Sequence, residues 1–182
     1  MIFFKKNTVI PAVRDINDYD EALNSKMASI FLLGGSLVEL KDLHERAKEY
    51  GKKLIVNVDL VSGIAIDKKG IEYLKKNDMC DGIISTRNTV IQAAKKFDFF
   101  TIQRVFLIDS SSLNALKNVI INTKPDMIEI LPSVAAPFFL EIYKNINTKI
   151  IAGGLIRNKE EINELFSNGV YAVSTSKKDL WK

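Results

Sequence analysis

Short apolar runs rich in Val, Ile and Leu alternate along this chain with stretches in which apolar residues recur every three or four positions. The runs cover residues 8–13, 29–33, 53–60, 82–86, 100–107, 127–131, 149–152 and 171–175. Between them, residues 38–50 place Leu40, Leu43 and Ala47 on one helical face and Lys41, Glu45 and Lys48 on another. Helix ends carry their usual signals: Gly51 after the second helix, Lys124-Pro125 after the fifth, Gly169 after the seventh, and Asp109-Ser110-Ser111 as caps before the fifth. Continuous apolar strands, each followed by a helix, imply a parallel sheet covered by helices. About eight such units close most naturally as a (β/α)8 TIM-type barrel, although a doubly wound open sheet uses the same local pattern. No linker interrupts the pattern, so residues 1–182 are expected to form one small domain.

Two segments near the C-terminal end point to an anion. Ile150-Ile151-Ala152-Gly153-Gly154-Leu155-Ile156-Arg157 and Ala172-Val173-Ser174-Thr175-Ser176 read as adjacent strand ends. Gly153 and Gly154 lack Cβ and let peptide N–H groups come close to a phosphate, and Ser174, Thr175 and Ser176 add hydroxyls. In a barrel this is the phosphate position after strands seven and eight. Asp81-Gly82-Ile83-Ile84-Ser85-Thr86-Arg87 echoes Val170-Tyr171-Ala172-Val173-Ser174-Thr175-Ser176. The echo marks either a second anion pocket near strands three and four or two helix caps of the same composition.

Chemistry in a barrel sits at the C-terminal ends of the strands. Polar residues expected there are Arg14, Asn57, Asp59, Arg87, Gln103, Arg104, Glu129 and Arg157. Asp59 and Glu129 interrupt apolar strands, so each needs donors or cations nearby, and Arg14, Arg87 and Arg104 are the natural candidates. Glu129 is expected to govern ligand selection more than the fold. Lys53 lies at the wrong end of its strand for Schiff-base chemistry, and the only histidine, His44, sits among charged helical neighbours where exposure is expected. Without a Cys/His cluster, a P-loop or a dinucleotide fingerprint, no metal and no cofactor is expected.

Composition adds limits. Of 182 residues, 47% are hydrophobic and 26% charged, which fits one globular core. The single cysteine, Cys80, excludes an internal disulfide and is expected to be buried in a protein of the reducing cytoplasm. No apolar run approaches the ~20 residues of a membrane span. The net charge of +4 is spread along the chain, which permits an anionic partner without demanding one.

Several runs taken in order are specific: Ile10-Pro11-Ala12-Val13-Arg14, Val56-Asn57-Val58-Asp59-Leu60, Gly82-Ile83-Ile84-Ser85-Thr86-Arg87, Ile102-Gln103-Arg104, Glu129-Ile130-Leu131-Pro132, Ala152-Gly153-Gly154-Leu155-Ile156-Arg157 and Leu180-Trp181-Lys182. Together they resemble the glycerol uptake operon antiterminator regulatory family over nearly the whole chain. The resemblance implies a non-enzymatic (β/α)8 regulator that takes glycerol 3-phosphate as effector and binds the leader mRNA of a glycerol operon. The chain departs from the family at Leu32-Leu33-Gly34-Gly35-Ser36-Leu37, where acidic or polar residues are usual, and at Asn57, where histidine is frequent. Both positions are expected to line the ligand face. The residues do not place an RNA face. Lys95-Lys96 with Phe97, Phe99 and Phe100, and Lys177-Lys178 with Trp181 and Lys182, are the candidates, and both aromatic groups also suit core packing. The alternative reading is a barrel enzyme acting on a small phosphorylated metabolite, with Asp59 or Glu129 as general base.

Overall fold

The structure, a computed structural model, describes residues 3–144 and 147–182, the side chains of Lys117 and Asn118 excepted. Eight parallel strands close in sequence order into a barrel: β1 (Thr8–Val13), β2 (Ser29–Leu32), β3 (Lys53–Asn57), β4 (Gly82–Ser85), β5 (Phe100–Phe106), β6 (Met127–Leu131), β7 (Lys149–Gly153) and β8 (Ala172–Thr175). Among the described residues seven α-helices run back along the outside: α1 (Tyr19–Asn24), α2 (Leu37–Glu49), α3 (Lys68–Lys76), α4 (Asn88–Lys96), α5 (Ser110–Thr123), α6 (Ala135–Ile142) and α7 (Lys159–Ser167). A 3-10 turn, Lys178–Leu180, follows β8. Closure rules out the open sheet.

The strands match the apolar runs to within two residues, apart from β3. It stops at Asn57 because that side chain accepts the Asp59 N–H at 3.1 Å and turns residues 58–60 into a 3-10 helix. Asp109 caps α5 through Ser112, and Lys124 closes the same helix in the left-handed conformation.

Alternation along each strand sorts side chains into two layers. Ile10, Ala12, Phe31, Ile55, Ile84, Ile102, Met127, Ile151 and Ala172 fill the barrel. Outward-facing residues such as Val56, Ile83, Ile128 and Val173 pack against the helices. Phe4 closes the N-terminal end from below, edge-on to Phe31 and Phe100. A buried aromatic of this kind contributes about 1.5–3 kcal/mol. Trp181 packs into the helical layer and donates from Nε1 to the Thr175 carbonyl at 2.8 Å.

His44 is a correction: it is 1% exposed, not on the surface. Leu40 and Ala47 lie one turn away on either side, so position 44 belongs to the inward stripe of α2. Its Nδ1 faces the Asp78 carbonyl at 2.5 Å and its Nε2 the Asp81 carboxylate at 3.0 Å. Burial works against the charge on Asp81, but hydrogen bonds from His44, Lys53 and the Leu54 N–H outweigh it and hold its pKa down to about 2. Cys80 is buried, and that burial pushes its thiol pKa up.

Candidate phosphate site

Glu129 projects inward from the middle of β6 and is wholly buried. The register sets Arg104 of β5 beside it, and Arg104 Nε donates to Glu129 Oε2 at 2.6 Å. On the other side, past β7, Ser174 Oγ of β8 donates to Oε1 at 2.5 Å. Glu129 therefore ties three strands together. Gly153 of β7 lies against both groups: a Cβ there would stand 2.6 Å from Ser174 Oγ and 2.9 Å from Glu129 Oε1. Gly154 has φ +77°, so the chain turns at a backbone geometry that other residues rarely adopt.

Above this floor, at the C-terminal mouth, is a cavity of ≈120 Å³ lined by Arg14, Arg104, Gly154, Ser174, Thr175 and Ser176, with Ala12, Leu33 and Leu131 as apolar wall. Glu129 also reaches it, and its charge is matched by Arg104. Among the described residues no carboxylate lies within 4.0 Å of the Arg14 guanidinium, so the cavity keeps one unopposed positive charge. The volume is well below the ~300 Å³ at which sites for drug-sized ligands begin, so the cavity suits a small anion or metabolite.

A second polar cluster occupies the ends of β3 and β4. Asp59 Oδ1 accepts from Ser85 Oγ at 2.8 Å, and Oδ2 accepts from the Thr86 N–H at 2.6 Å and Thr86 Oγ1 at 2.9 Å. Arg87 Nε stands 3.9 Å away on a largely exposed side chain. Strand pairing aligns this corner with the cavity one residue away from the sequence echo. Ile55 pairs with Gly82 and Asn57 with Ile84, while Ile151 pairs with Ala172 and Gly153 with Ser174. Ser85 thus corresponds to Thr175, and Thr86 to Ser176. The hydrogen bonds agree, since Ser85 Oγ accepts the Arg87 N–H at 3.0 Å and Thr175 Oγ1 accepts the Lys177 N–H at 3.1 Å. In the first half, then, a carboxylate from the chain itself sits on the N–H that corresponds to Ser176.

The expected site residues fall into groups. Gly153, Gly154, Ser174, Ser176, Arg14, Arg104 and Glu129 come together at or just beneath the cavity. Asn57, Asp59 and Arg87 belong to the second cluster, on the opposite side of the barrel, and do not line the cavity. Gln103 faces the helical layer, because Ile102 and Arg104 on either side face inward. Its Nε2 donates to the Ser85 and Thr86 carbonyls at 3.2 and 2.9 Å, and its buried Oε1 has no partner. Thr175 lines the cavity as well, and its Oγ1 accepts the Lys177 N–H at 3.1 Å. Arg157 leaves the mouth for α7, where Nε and its backbone N–H bind Glu161 at 2.6 and 2.8 Å; these bonds hold the Glu161 pKa below its usual value. Leu33, in the segment 32–37 expected on the ligand face, does line the cavity; Ala12 and Leu131 line it as well, and their inward parity with Arg14 and Glu129 is the signal that leads to them. Among the described residues no group of three His, Cys, Asp or Glu side chains could hold a metal, and no helix is long and apolar enough to cross a membrane.

Fold and site define a small (β/α)8 barrel with a cationic cavity at its C-terminal mouth. The chain belongs to the glycerol-3-phosphate responsive antiterminator family, whose sequence model matches residues 9–181. It resembles the crystal structure of a glycerol uptake operon antiterminator regulatory protein from Listeria monocytogenes, with 36% identity, 96% of this chain and 94% of that one covered, and a TM-score of 0.90. A glycerol uptake operon antiterminator-related protein from Thermotoga maritima is 30% identical, with 98% of each chain covered and a TM-score of 0.86. The uncharacterized protein YgcP of Escherichia coli is 32% identical over 97% of this chain and 93% of its own length.

Proposed function

We propose that the protein senses glycerol 3-phosphate in the cytoplasm and, when it is bound, engages the leader mRNA of a glycerol operon to prevent termination. The observation that carries the reading is the pair of equivalent corners: one is filled by Asp59, and the other opens into a cavity with the unopposed Arg14. The Ser176 N–H, the Gly154 turn and the Arg14 guanidinium hold the phosphate, with Ser174 and Arg104 beneath it. Glu129 positions Arg104 and Ser174. The enzyme reading is less favoured because each candidate base is already committed to groups of the chain: Glu129 is wholly buried in an ion pair with Arg104, and Asp59 is held by Ser85 and Thr86 outside the cavity lining.

A regulator needs an effector that binds two states unequally. The segments suited to respond are residues 61–64 and 177–182. Ser62 is tied to Gly35 and Leu37 by backbone bonds, and Lys177 Nζ reaches the Arg157 carbonyl beside the cavity at 2.6 Å. The test is calorimetry with glycerol 3-phosphate, followed by a gel-shift titration of leader RNA with and without it. Binding without turnover, together with tighter RNA binding in its presence, is the expected result. Conversion of the ligand, or identical RNA affinity with and without saturating effector, would overturn the proposal.

A further inference from the structure

The opposite end of the barrel carries a different chemistry. Helices run back toward the N-terminal face, so the basic last turns of α3 (Lys75, Lys76) and α4 (Lys95, Lys96) arrive there with Lys124, the cap of α5. Two contacts join these ends into one stripe. Lys75 Nζ donates to the Asp98 carbonyl beyond α4 at 3.0 Å, and Lys95 Nζ donates to the Lys124 carbonyl. The stripe borders a groove of ≈660 Å³, much larger than the cavity at the mouth, in which Lys53, Lys75 and Lys95 stand beside Phe3, Phe99 and Phe100.

Lysines at helix C-termini complement the helix dipole, so charge alone decides nothing. The groove adds two things. Phe3 and Phe100 stack with centroids 4.1 Å apart and stay partly exposed, and Lys75 lies 4.8 Å over the Phe99 ring. Four carboxylates also line it: Asp78 is paired with Lys48 and Asp81 with Lys53, while Asp98 and Asp126 offer acceptors to amino and ring N–H groups. A phosphate chain matches the lysines, an unpaired base matches the aromatic faces, and a base edge matches the acceptors. An acidic protein would match the lysines but brings no unpaired base to the aromatic faces, and a flat membrane cannot enter a groove.

We infer that this groove binds an unpaired stretch of RNA, with Lys75, Lys95, Lys96 and Lys124 on phosphates and Phe3 stacking on a base. The inference rests on the antiterminator reading and separates the RNA surface from the effector cavity by the length of the barrel. β5 and β6 connect the two: Phe100 and Asp126 stand at their lower ends, Arg104 and Glu129 toward their upper ends.

The experiment is fluorescence anisotropy of the full chain with a labelled random-sequence RNA of about 20 nucleotides, titrated between about 50 and 200 mM salt. Combined K75Q, K95Q, K96Q and K124Q should lower the slope of log affinity against log salt by about 0.7 per lysine, close to 3 in total. Phe3→Ala should weaken binding about 5- to 150-fold. Neutralising Lys41, Lys68, Lys69 and Lys159, which lie away from the stripe, should leave the slope unchanged, and circular dichroism confirms that each variant folds. An unchanged slope in the stripe variant, with wild type binding RNA, would overturn the groove and leave the antiterminator reading standing. Wild type binding no RNA at any salt concentration would sink both. Stripe-dependent binding to phosphatidylserine vesicles without RNA binding would also overturn the inference. RNA binding through the stripe that ignores glycerol 3-phosphate supports the groove and refutes the coupling.

Discussion

Replacing Glu129 by glutamine removes one charge and almost no volume. Arg104, only 7% exposed, then keeps a buried positive charge without its partner. Breaking a buried ion pair from one side costs about 3–5 kcal/mol. The glutamine amide can still accept from Ser174, so the lower end applies, about 3 kcal/mol. For a domain of this size that corresponds to a fall in Tm of roughly 6–12 °C. The fold would therefore suffer first, contrary to the expectation that Glu129 governs ligand selection more than folding.

The same substitution leaves two unopposed guanidinium groups at the cavity in place of one. An anion entering there re-pairs Arg104, so phosphate or glycerol 3-phosphate should raise the Tm of E129Q by more than it raises that of the wild type. Urea unfolding gives the stability difference, and a thermal-shift titration gives the ligand response. Removing both charges, as E129L with R104M, should recover most of the loss, because two buried apolar groups need no partner. A Glu129→Gln protein within about 0.5 kcal/mol of wild type, or one that phosphate stabilises no more than wild type, would refute the reasoning.

Gly153→Ala should destabilise by about 1–3 kcal/mol and weaken glycerol 3-phosphate binding, since its Cβ meets Ser174 Oγ and Glu129 Oε1 below 3.0 Å; calorimetry at fixed temperature checks both. Gly154→Val should abolish binding in a protein that still folds, because φ +77° forbids a branched side chain; unchanged affinity would mean the phosphate sits elsewhere. Asp81→Asn should cost roughly 2 kcal/mol near neutral pH. The folded-state pKa of Asp81 lies below the unfolded one, so its contribution is full above about pH 5 and fades as pH falls toward 2, and urea unfolding across that range should show the two proteins converge. Asp59→Ala empties the first-half corner, so phosphate should bind this variant at two sites in place of one by calorimetric stoichiometry.

The barrel was legible because its strands are apolar runs and its helices end in recognisable caps, and both signals are local. The site was legible only in part, because residue type alone does not say which face of a strand a side chain takes. Gln103 and Arg104 are neighbours on β5 and cannot both face inward, and Ile102 in the core layer assigns the inward face to Arg104. Parity from Arg14 and Glu129 likewise leads to Ala12 and Leu131 as wall. His44 was read against its charged neighbours, although its spacing from Leu40 and Ala47 marks the buried stripe. Arg157 could not be placed from the strand, because its partner Glu161 belongs to the next helix. The N-terminal groove joins three helix ends that are distant in sequence; the run from Lys95 to Phe100 announces one of them, and nothing in that run points to Phe3, Lys75 or Lys124.

The two corners of the barrel show how one backbone device takes opposite roles. β3 and β7 each hold five residues, and their pairing aligns Asn57 with Gly153, Val58 with Gly154 and Asp59 with Leu155. In the first half, Asn57 caps the Asp59 N–H and swings that carboxylate over Ser85 and Thr86, which removes the need for any external anion. In the second half, the glycine pair turns the chain outward, and Leu155, with φ +60°, is 77% exposed, away from the cavity. The donors after β8 are left facing Arg14 with no internal carboxylate in the place that Asp59 takes. Thr86 N–H and Asp59 at 2.6 Å thus give the geometry that an anion would meet at Ser176. Selectivity for one anion cannot come from the donors alone, because a carboxylate satisfies their counterparts equally well. It must come from what surrounds them: Leu33 and Leu131 limit the ligand's bulk, Gly153 lets Ser174 and Glu129 meet, and Glu129 fixes Arg104 beneath the ligand.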